Sequence, residues 1–204
     1  MKLADMTLSS YLELLGSDAP APGGGSVSAL CGAQGAALVA MVAGLTVGKK
    51  KYAQEWELCG EVLKKASKLK DGLLSQVDKD TQAFNLVSAA FKLPKESEER
   101  KKEIADAPLG ATEVPFQTMK LCLEGLKLAK DLVGHSNTSA ASDLGVAALN
   151  FIAAIKGAWL NVLINLCGIE DKKTAEDFKS EGEKTVAVAQ AEADEIYLAT
   201  LAIL

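Results

Sequence analysis

Apolar and polar positions follow one another at helical spacing along nearly the whole chain. Leu8, Leu12 and Leu15 lie three and four apart, so 3–16 reads as a short amphipathic helix that Gly16 stops. The longest stripe is Leu58, Val62, Ala66, Leu69, Leu73, Val77, Phe84, Val87 and Phe91. It advances in threes and fours except for one step of seven between Val77 and Phe84, and it predicts a helix from about 53 to 93 that Pro94 ends. The missing position on that face is Asp80.

Two other segments are apolar on every side. One follows the loop SDAPAPGGG (17–25), with Ser26 as its N-cap, and runs to about Val47; the other spans 143–167 and ends at Gly168. A helix over 108–132 closes at Gly134, the loop GHSNTSAAS comes next, and a last amphipathic helix covers 172–204. Residues 95–106 (KESEERKKEIAD) read as an exposed connector or helix with a solvated face. The pattern predicts one all-α domain over 1–204: a bundle of about six helices, two of them largely buried.

Val27 to Val47 holds 21 residues without a charge, followed by Lys49, Lys50 and Lys51, which is also the outline of a membrane span. Nine of the 21 are Gly or Ala and Gln34 interrupts them, so close packing inside a protein is the expected role. The N-terminal residues carry Asp5 and Glu13 and form no signal-type apolar run, so a soluble, cytoplasmic protein is expected. With 22 Lys and Arg against 27 Asp and Glu, the net charge of -5 argues against nucleic acid as a partner. Cys31, Cys59, Cys122 and Cys167 form no C-x-x-C pair and are expected to be reduced thiols. His135 stands alone in a loop, so no metal site is expected.

Four constellations could carry chemistry. Asp80 sits three residues after Val77 and four before Phe84, on the core-facing side of its helix, whereas Asp78 is turned towards water. A carboxylate there is either a hydrogen-bonded structural group or a general acid/base of raised pKa. On the helix 143–167, Asp143, Asn150, Asn161 and Asn165 share one line with Ala147, Ala154 and Gly157, within an arc of about 80° at 100° per residue. That line is either a groove wall for a flat polar ligand or a close helix crossing with satisfied amides; Asp143 could also serve the helix N-terminus. Pro22, Gly23, Gly24, Gly25 and Ser26 open a helix whose free N–H groups could hold an anion, or whose glycines let backbones approach. No Gly-Lys-Ser/Thr end and no preceding strand is present, so this is not a nucleotide P-loop. Lys49, Lys50 and Lys51 either complement a helix C-terminus or attract carboxylates.

The segments APAPGGGSVSAL, GAALVAMVAGLTVGKKKY, VDKDTQAFNLV…LPK, SDLGVAA and LNVLINL, in that order, resemble the cyclodeaminase/cyclohydrolase family of folate enzymes. The resemblance covers nearly the whole chain. It implies a helical homodimer, a folate derivative as substrate rather than a cofactor, no metal, and a cleft near the subunit interface. The family's catalytic aspartate is the second Asp of a D-x-D-x-x-A-F stretch, which here is Asp80. Gly23, Gly24, Gly25, Ser26, Lys49, Lys50, Lys51, Asp143, Asn150, Asn161 and Asn165 are the corresponding substrate-binding candidates. The implied reaction is hydrolysis of 5,10-methenyltetrahydrofolate to 10-formyltetrahydrofolate, with formiminotetrahydrofolate cyclodeamination as the alternative. A non-catalytic folate-binding helical protein is a further one. The stand-alone chain and the GLTVGKKKY segment favour the cyclohydrolase.

Overall fold

The computed structural model describes residues 2–204. It contains six α-helices: α1 (Leu8–Leu15), α2 (Gly24–Gly44), α3 (Trp56–Lys92), α4 (Glu98–Leu132), α5 (Ala141–Leu166) and α6 (Lys172–Leu201). Short 3-10 turns precede α1, α3 and α5, and no strand occurs among the described residues. The expected all-α bundle is therefore the observed one. Helices α3, α2, α5 and α6 lie side by side, and α4 packs against all four from behind. The core fills the space between the layer and α4. Leu73, Met119, Leu126, Phe151 and Ile155 are fully enclosed there, as expected where three- and four-residue stripes face one another.

Small residues set the spacing at the centre. A Cβ on Gly157 would come within 2.4 Å of Ser28 Oγ, so only glycine allows α2 and α5 to cross at this distance. Both helices are long and apolar enough to cross a membrane by length and composition. Each buries its inner side within the bundle, as the Gly and Ala content of 27–47 suggests for α2. Their outer sides stay open: Val27 and Met41 on α2 with Leu45 just past its end, and Val146, Leu149, Leu160 and Ile164 on α5.

Several boundaries differ from expectation. Residues 98–107 are helical and continuous with the helix expected from 108 onward, so Pro108 lies inside α4 and does not start it. Ser97 supplies the cap by accepting from the Arg100 N–H at 3.2 Å, and Glu98 and Glu99 complement the first turn. These residues form a helix because their Glu, Lys and Arg side chains favour one, and α4 continues through Pro108 and Pro115 although each removes a backbone bond and crowds the preceding turn. Gly23, not Ser26, caps α2. Beyond Val77, α3 leaves the core and runs out beside the first turns of α4 as a projecting hairpin, which leaves Phe84 and Phe91 half exposed. Asp78 is not simply solvated: its Oδ1 accepts the Leu3 N–H at 2.6 Å and ties down the N-terminal segment.

Candidate active site

The site is built where the N-terminus of α2 meets the point at which α3 leaves the core. Asp80 lies on α3 directly against Gly25. A Cβ on Gly25 would fall 2.0 Å from Asp80 Oδ1, so glycine is the only residue compatible with this approach. Ser26, which sequence reading placed as a cap, is fully buried and points at the acid. Its Oγ lies 2.9 Å from Asp80 Oδ2, 2.9 Å from the Val77 carbonyl and 3.1 Å from Thr81 Oγ1. The single Ser26 proton can therefore go to the carboxylate or to the carbonyl, and Thr81 can donate to Ser26 in turn.

Burial pushes the Asp80 carboxyl above the usual carboxylate range, while the hydroxyl and N–H of Ser26 hold it down. Desolvation disfavours the anion, and the hydrogen bonds favour it. A raised carboxyl pKa is the direction that suits a group exchanging protons. Behind it, Tyr11 of α1 packs on Ala29 and Val77. Its buried hydroxyl has no hydrogen-bond partner, and burial together with the Asp80 charge holds the phenol in its neutral form.

In front of Asp80 opens a cleft of about 350 Å³. Pro20, Ala21 and Gly23 to Gly25 form one side of it, Asp80, Thr81, Phe84 and Val87 of α3 another, and Ala111, Asn161, Ile164 and Asn165 the third. The two amides face it with their orientation fixed. Asn161 Nδ2 donates to the Gly157 carbonyl at 2.8 Å, and Asn165 Nδ2 donates to the Ala111 carbonyl at 2.7 Å. Each amide group thus spends an N–H on the main chain, and its Oδ1 is the acceptor a ligand can use. A larger groove of about 540 Å³ lies elsewhere, between α3 and α4, lined by Lys65, Lys68 and Lys127 over Leu69, Leu121 and Leu128. It contains none of the groups described above.

The structure brings together Gly23, Gly24, Gly25, Ser26, Asp80, Asn161 and Asn165, and leaves the remaining candidates outside. The α2 N-terminus is not open to a ligand anion in the way its sequence suggested, because the carboxyl group of Asp80 already occupies it. Asn150 lies in the α2–α5 crossing: its Oδ1 accepts from the Cys31 thiol at 3.1 Å, and its Nδ2 donates to the Val146 carbonyl at 3.0 Å. Eleven residues separate it from Asn161, which is about 16 Å along a helix. Asp143 is further still and sits in the first turn of α5, so its dipole role is the one realised. The stripe is one line along α5, but that helix is 26 residues long and the line serves two purposes.

Lys49, Lys50 and Lys51 lie beyond the far end of α2, which has 21 residues, about 30 Å from Gly24. All three are exposed, and Lys51 Nζ stands 5.1 Å over the Tyr52 ring. The His135 carbonyl accepts from the Cys59 thiol at 3.5 Å, and its Nδ1 lies 3.3 Å from Glu55. Sequence reading missed Thr81, Phe84 and Tyr11. Phe84 was legible, since it is the next position on the face of Asp80, but its place on an apolar stripe marked it as core. Tyr11 could not be found, because nothing in the sequence says that α1 folds back behind the acid.

Comparison with known proteins identifies the family. A family model described as formiminotransferase-cyclodeaminase matches residues 7–184. A methenyltetrahydrofolate cyclohydrolase of Methylorubrum extorquens is 39% identical over 195 residues, covering 94% of each chain. The formimidoyltransferase-cyclodeaminase of Gallus gallus is 35% identical over 207 residues, covering 99% of this chain but only 37% of that protein. The crystal structure of a formiminotetrahydrofolate cyclodeaminase from Thermotoga maritima superposes with a TM-score of 0.84 at 26% identity, over 100% of this chain and 98% of that one. An all-helical chain with a desolvated aspartate at a glycine-opened helix, similar over its length to these enzymes, belongs to the formiminotransferase-cyclodeaminase family.

Proposed function

We propose that the protein hydrolyses 5,10-methenyltetrahydrofolate to 10-formyltetrahydrofolate in this cleft, with Asp80 as the proton carrier. The observation that carries the reading is the position of Asp80: desolvated, held by Ser26, and at the wall of a cleft with acceptor amides opposite. The pterin edge bears N–H donors, which suit the Oδ1 atoms of Asn161 and Asn165. Phe84 offers an aromatic face beside them.

The substrate's single carbon bridges N5 and N10 as an amidinium cation, which an anionic Asp80 stabilises. Water attacks that carbon while Asp80 takes one of its protons. The tetrahedral carbon then collapses: the N5–C bond breaks, N5 leaves with the proton from Asp80, and the remaining hydroxyl proton passes to solvent as the formyl C=O forms. Atoms balance, with one proton released per turnover, and Asp80 returns to its starting state. Ser26 and Thr81 follow the change by redirecting their hydroxyl protons. No step calls on a cofactor.

The similarity to the Thermotoga maritima cyclodeaminase supports a second reading. There N10 attacks a formimino carbon on N5 and ammonia departs, again through a tetrahedral carbon beside one acid/base. The full-length similarity to the Methylorubrum extorquens cyclohydrolase favours the first. Purified protein incubated separately with methenyl- and formiminotetrahydrofolate decides between them. Loss of the methenyl absorbance without ammonia supports cyclohydrolase, and ammonia release from the formimino compound supports cyclodeaminase. A protein that binds both and turns over neither is a folate-binding relative.

The same reading includes a cytoplasmic homodimer, for which the relatives' folate chemistry and the open apolar side of α2 and α5 are the support. Contiguous apolar patches beyond a few hundred Å² mark interaction surfaces.

A further inference from the structure

Helix α4 has a proline inside it where it passes the cleft. Pro115 is buried, and the helix continues on both sides of it. Proline has no N–H, so the carbonyl four residues earlier, that of Ala111, receives no bond from its own helix at this point. The ring also crowds that carbonyl and turns it outward. Ala111 is buried, and a buried acceptor needs a partner.

The partner comes from α5. Asn165 Nδ2 donates to the Ala111 carbonyl at 2.7 Å, across 54 residues of sequence. The two helices are close here: a Cβ on Gly168, just past the end of α5, would fall 2.9 Å from Pro108 Cβ. A carbonyl only accepts, so it draws the NH2 end of the amide and leaves Oδ1 for the other side. Asn165 and Ala111 both line the cleft that holds Asp80, so the bond decides which end of the amide a ligand meets there.

Asn161 gives the contrast. Its Nδ2 donates to the Gly157 carbonyl, one turn back on α5 itself, at 2.8 Å. Its orientation therefore needs nothing from another helix. That of Asn165 needs a carbonyl that an unbroken α4 would keep for its own ladder.

We infer that Pro115 is a positioning residue for the cleft: by releasing the Ala111 carbonyl to Asn165, it fixes that amide with its oxygen towards the ligand. The wall at this point then selects a ligand N–H and disfavours a ring that presents an acceptor. In naming the pterin edge as the source of that N–H, the inference rests on the proposed function.

Pro115→Ala restores an N–H that can take the Ala111 carbonyl within α4, which frees the Asn165 amide to turn. KM for methenyltetrahydrofolate should rise up to about tenfold, the size expected for one positioned hydrogen bond, with kcat near wild type because Asp80 is untouched. Asn165→Leu removes the acceptor itself and should raise KM to a similar level. Adding Pro115→Ala to Asn165→Leu should raise it no further. A wild-type KM in folded Pro115→Ala overturns the inference, as does a further rise in the double variant, which would mean that the proline acts by another route. Pro115→Val, nearer to the ring in volume, makes the same comparison if the smaller side chain unfolds the protein.

Melting temperatures of the same four proteins, read without folate, test the device separately from the reaction. Asn165→Leu strands the Ala111 carbonyl and should melt lower than wild type. The proline substitution supplies the missing N–H, so it should raise the melting temperature more in the Asn165→Leu chain than in the wild-type chain. Equal effects in the two chains overturn the inference. If the wild-type protein turns over neither folate, the proposed function fails, and this comparison still decides whether Pro115 and Asn165 share the carbonyl.

Discussion

Gly25→Ala isolates the geometry of the acid from its chemistry. The added methyl carbon would lie 2.0 Å from Asp80 Oδ1, and 2.5 Å from its carboxyl carbon. Ordinary van der Waals separation is about 3.4 Å, so the carboxyl group must retreat by about 1.4 Å or α2 must tilt away. A displacement of about 1 Å in a reacting group costs up to ~10² in rate. Helix α2 itself loses nothing, since Ala in place of Gly favours a helix by roughly 1 kcal/mol. The expected variant is folded, melts near the wild-type temperature, and turns over methenyltetrahydrofolate about 10²-fold more slowly, as read from the decay of the methenyl absorbance. Adding Gly25→Ala to an Asp80→Asn chain should then cost little more, because both changes remove the same function. Wild-type kcat in a folded Gly25→Ala protein would refute the argument that the reaction depends on where this carboxyl stands.

Other substitutions separate the remaining roles. Asn161→Leu removes the acceptor opposite Asp80 and should weaken binding of a folate analogue about tenfold while the melting temperature holds; unchanged affinity in calorimetry returns this amide to helix packing. Tyr11→Phe deletes a buried hydroxyl that has no partner, so it should leave stability equal or raised, and a clear drop in melting temperature would show that the phenol has a partner after all. Asp80→Asn should also stabilise the protein at neutral pH. The folded-state pKa of Asp80 is raised, so the wild type binds its proton more tightly folded than unfolded and loses stability as pH rises through the folded pKa. The gain should vanish below the unfolded pKa of about 4, and denaturant titrations at pH 7 and pH 3.5 that show the same difference would contradict the burial of this charge.

The helical fold was legible because its driving pattern is local. Stripes such as Leu58 to Val77 face the core in the structure as they do on a helical wheel. The hairpin beyond Val77 was not legible: Phe84, Val87 and Phe91 keep the same period after the helix has left the core, and periodicity alone does not distinguish a cleft wall from an interior. Asp80 stood out because a charge on an apolar stripe has few explanations. Ser26 and Asp78 were misplaced for a common reason. Each was judged from its own helix, and each bonds to an element distant in sequence, Ser26 to α3 and Asp78 to Leu3. The asparagine stripe shows the limit of spacing as a guide. Asn161 and Asn165 lie where α5 passes the cleft, whereas Asn150, on the same face, lies where α2 covers it.

The central claim is that Asp80 moves the protons of the reaction, and single-turnover hydrolysis of methenyltetrahydrofolate by Asp80→Asn tests it most directly. Asparagine keeps the shape and can still accept from Ser26, but it cannot carry a proton. The chemical step should slow by about 10² to 10⁴ while the fold survives, and Asp78→Asn, whose amide oxygen can still receive the Leu3 N–H, should remain near wild type. An Asp80→Asn protein that melts at a lower temperature yet hydrolyses the substrate at a near-normal rate would contradict the account and make this carboxyl group a structural one.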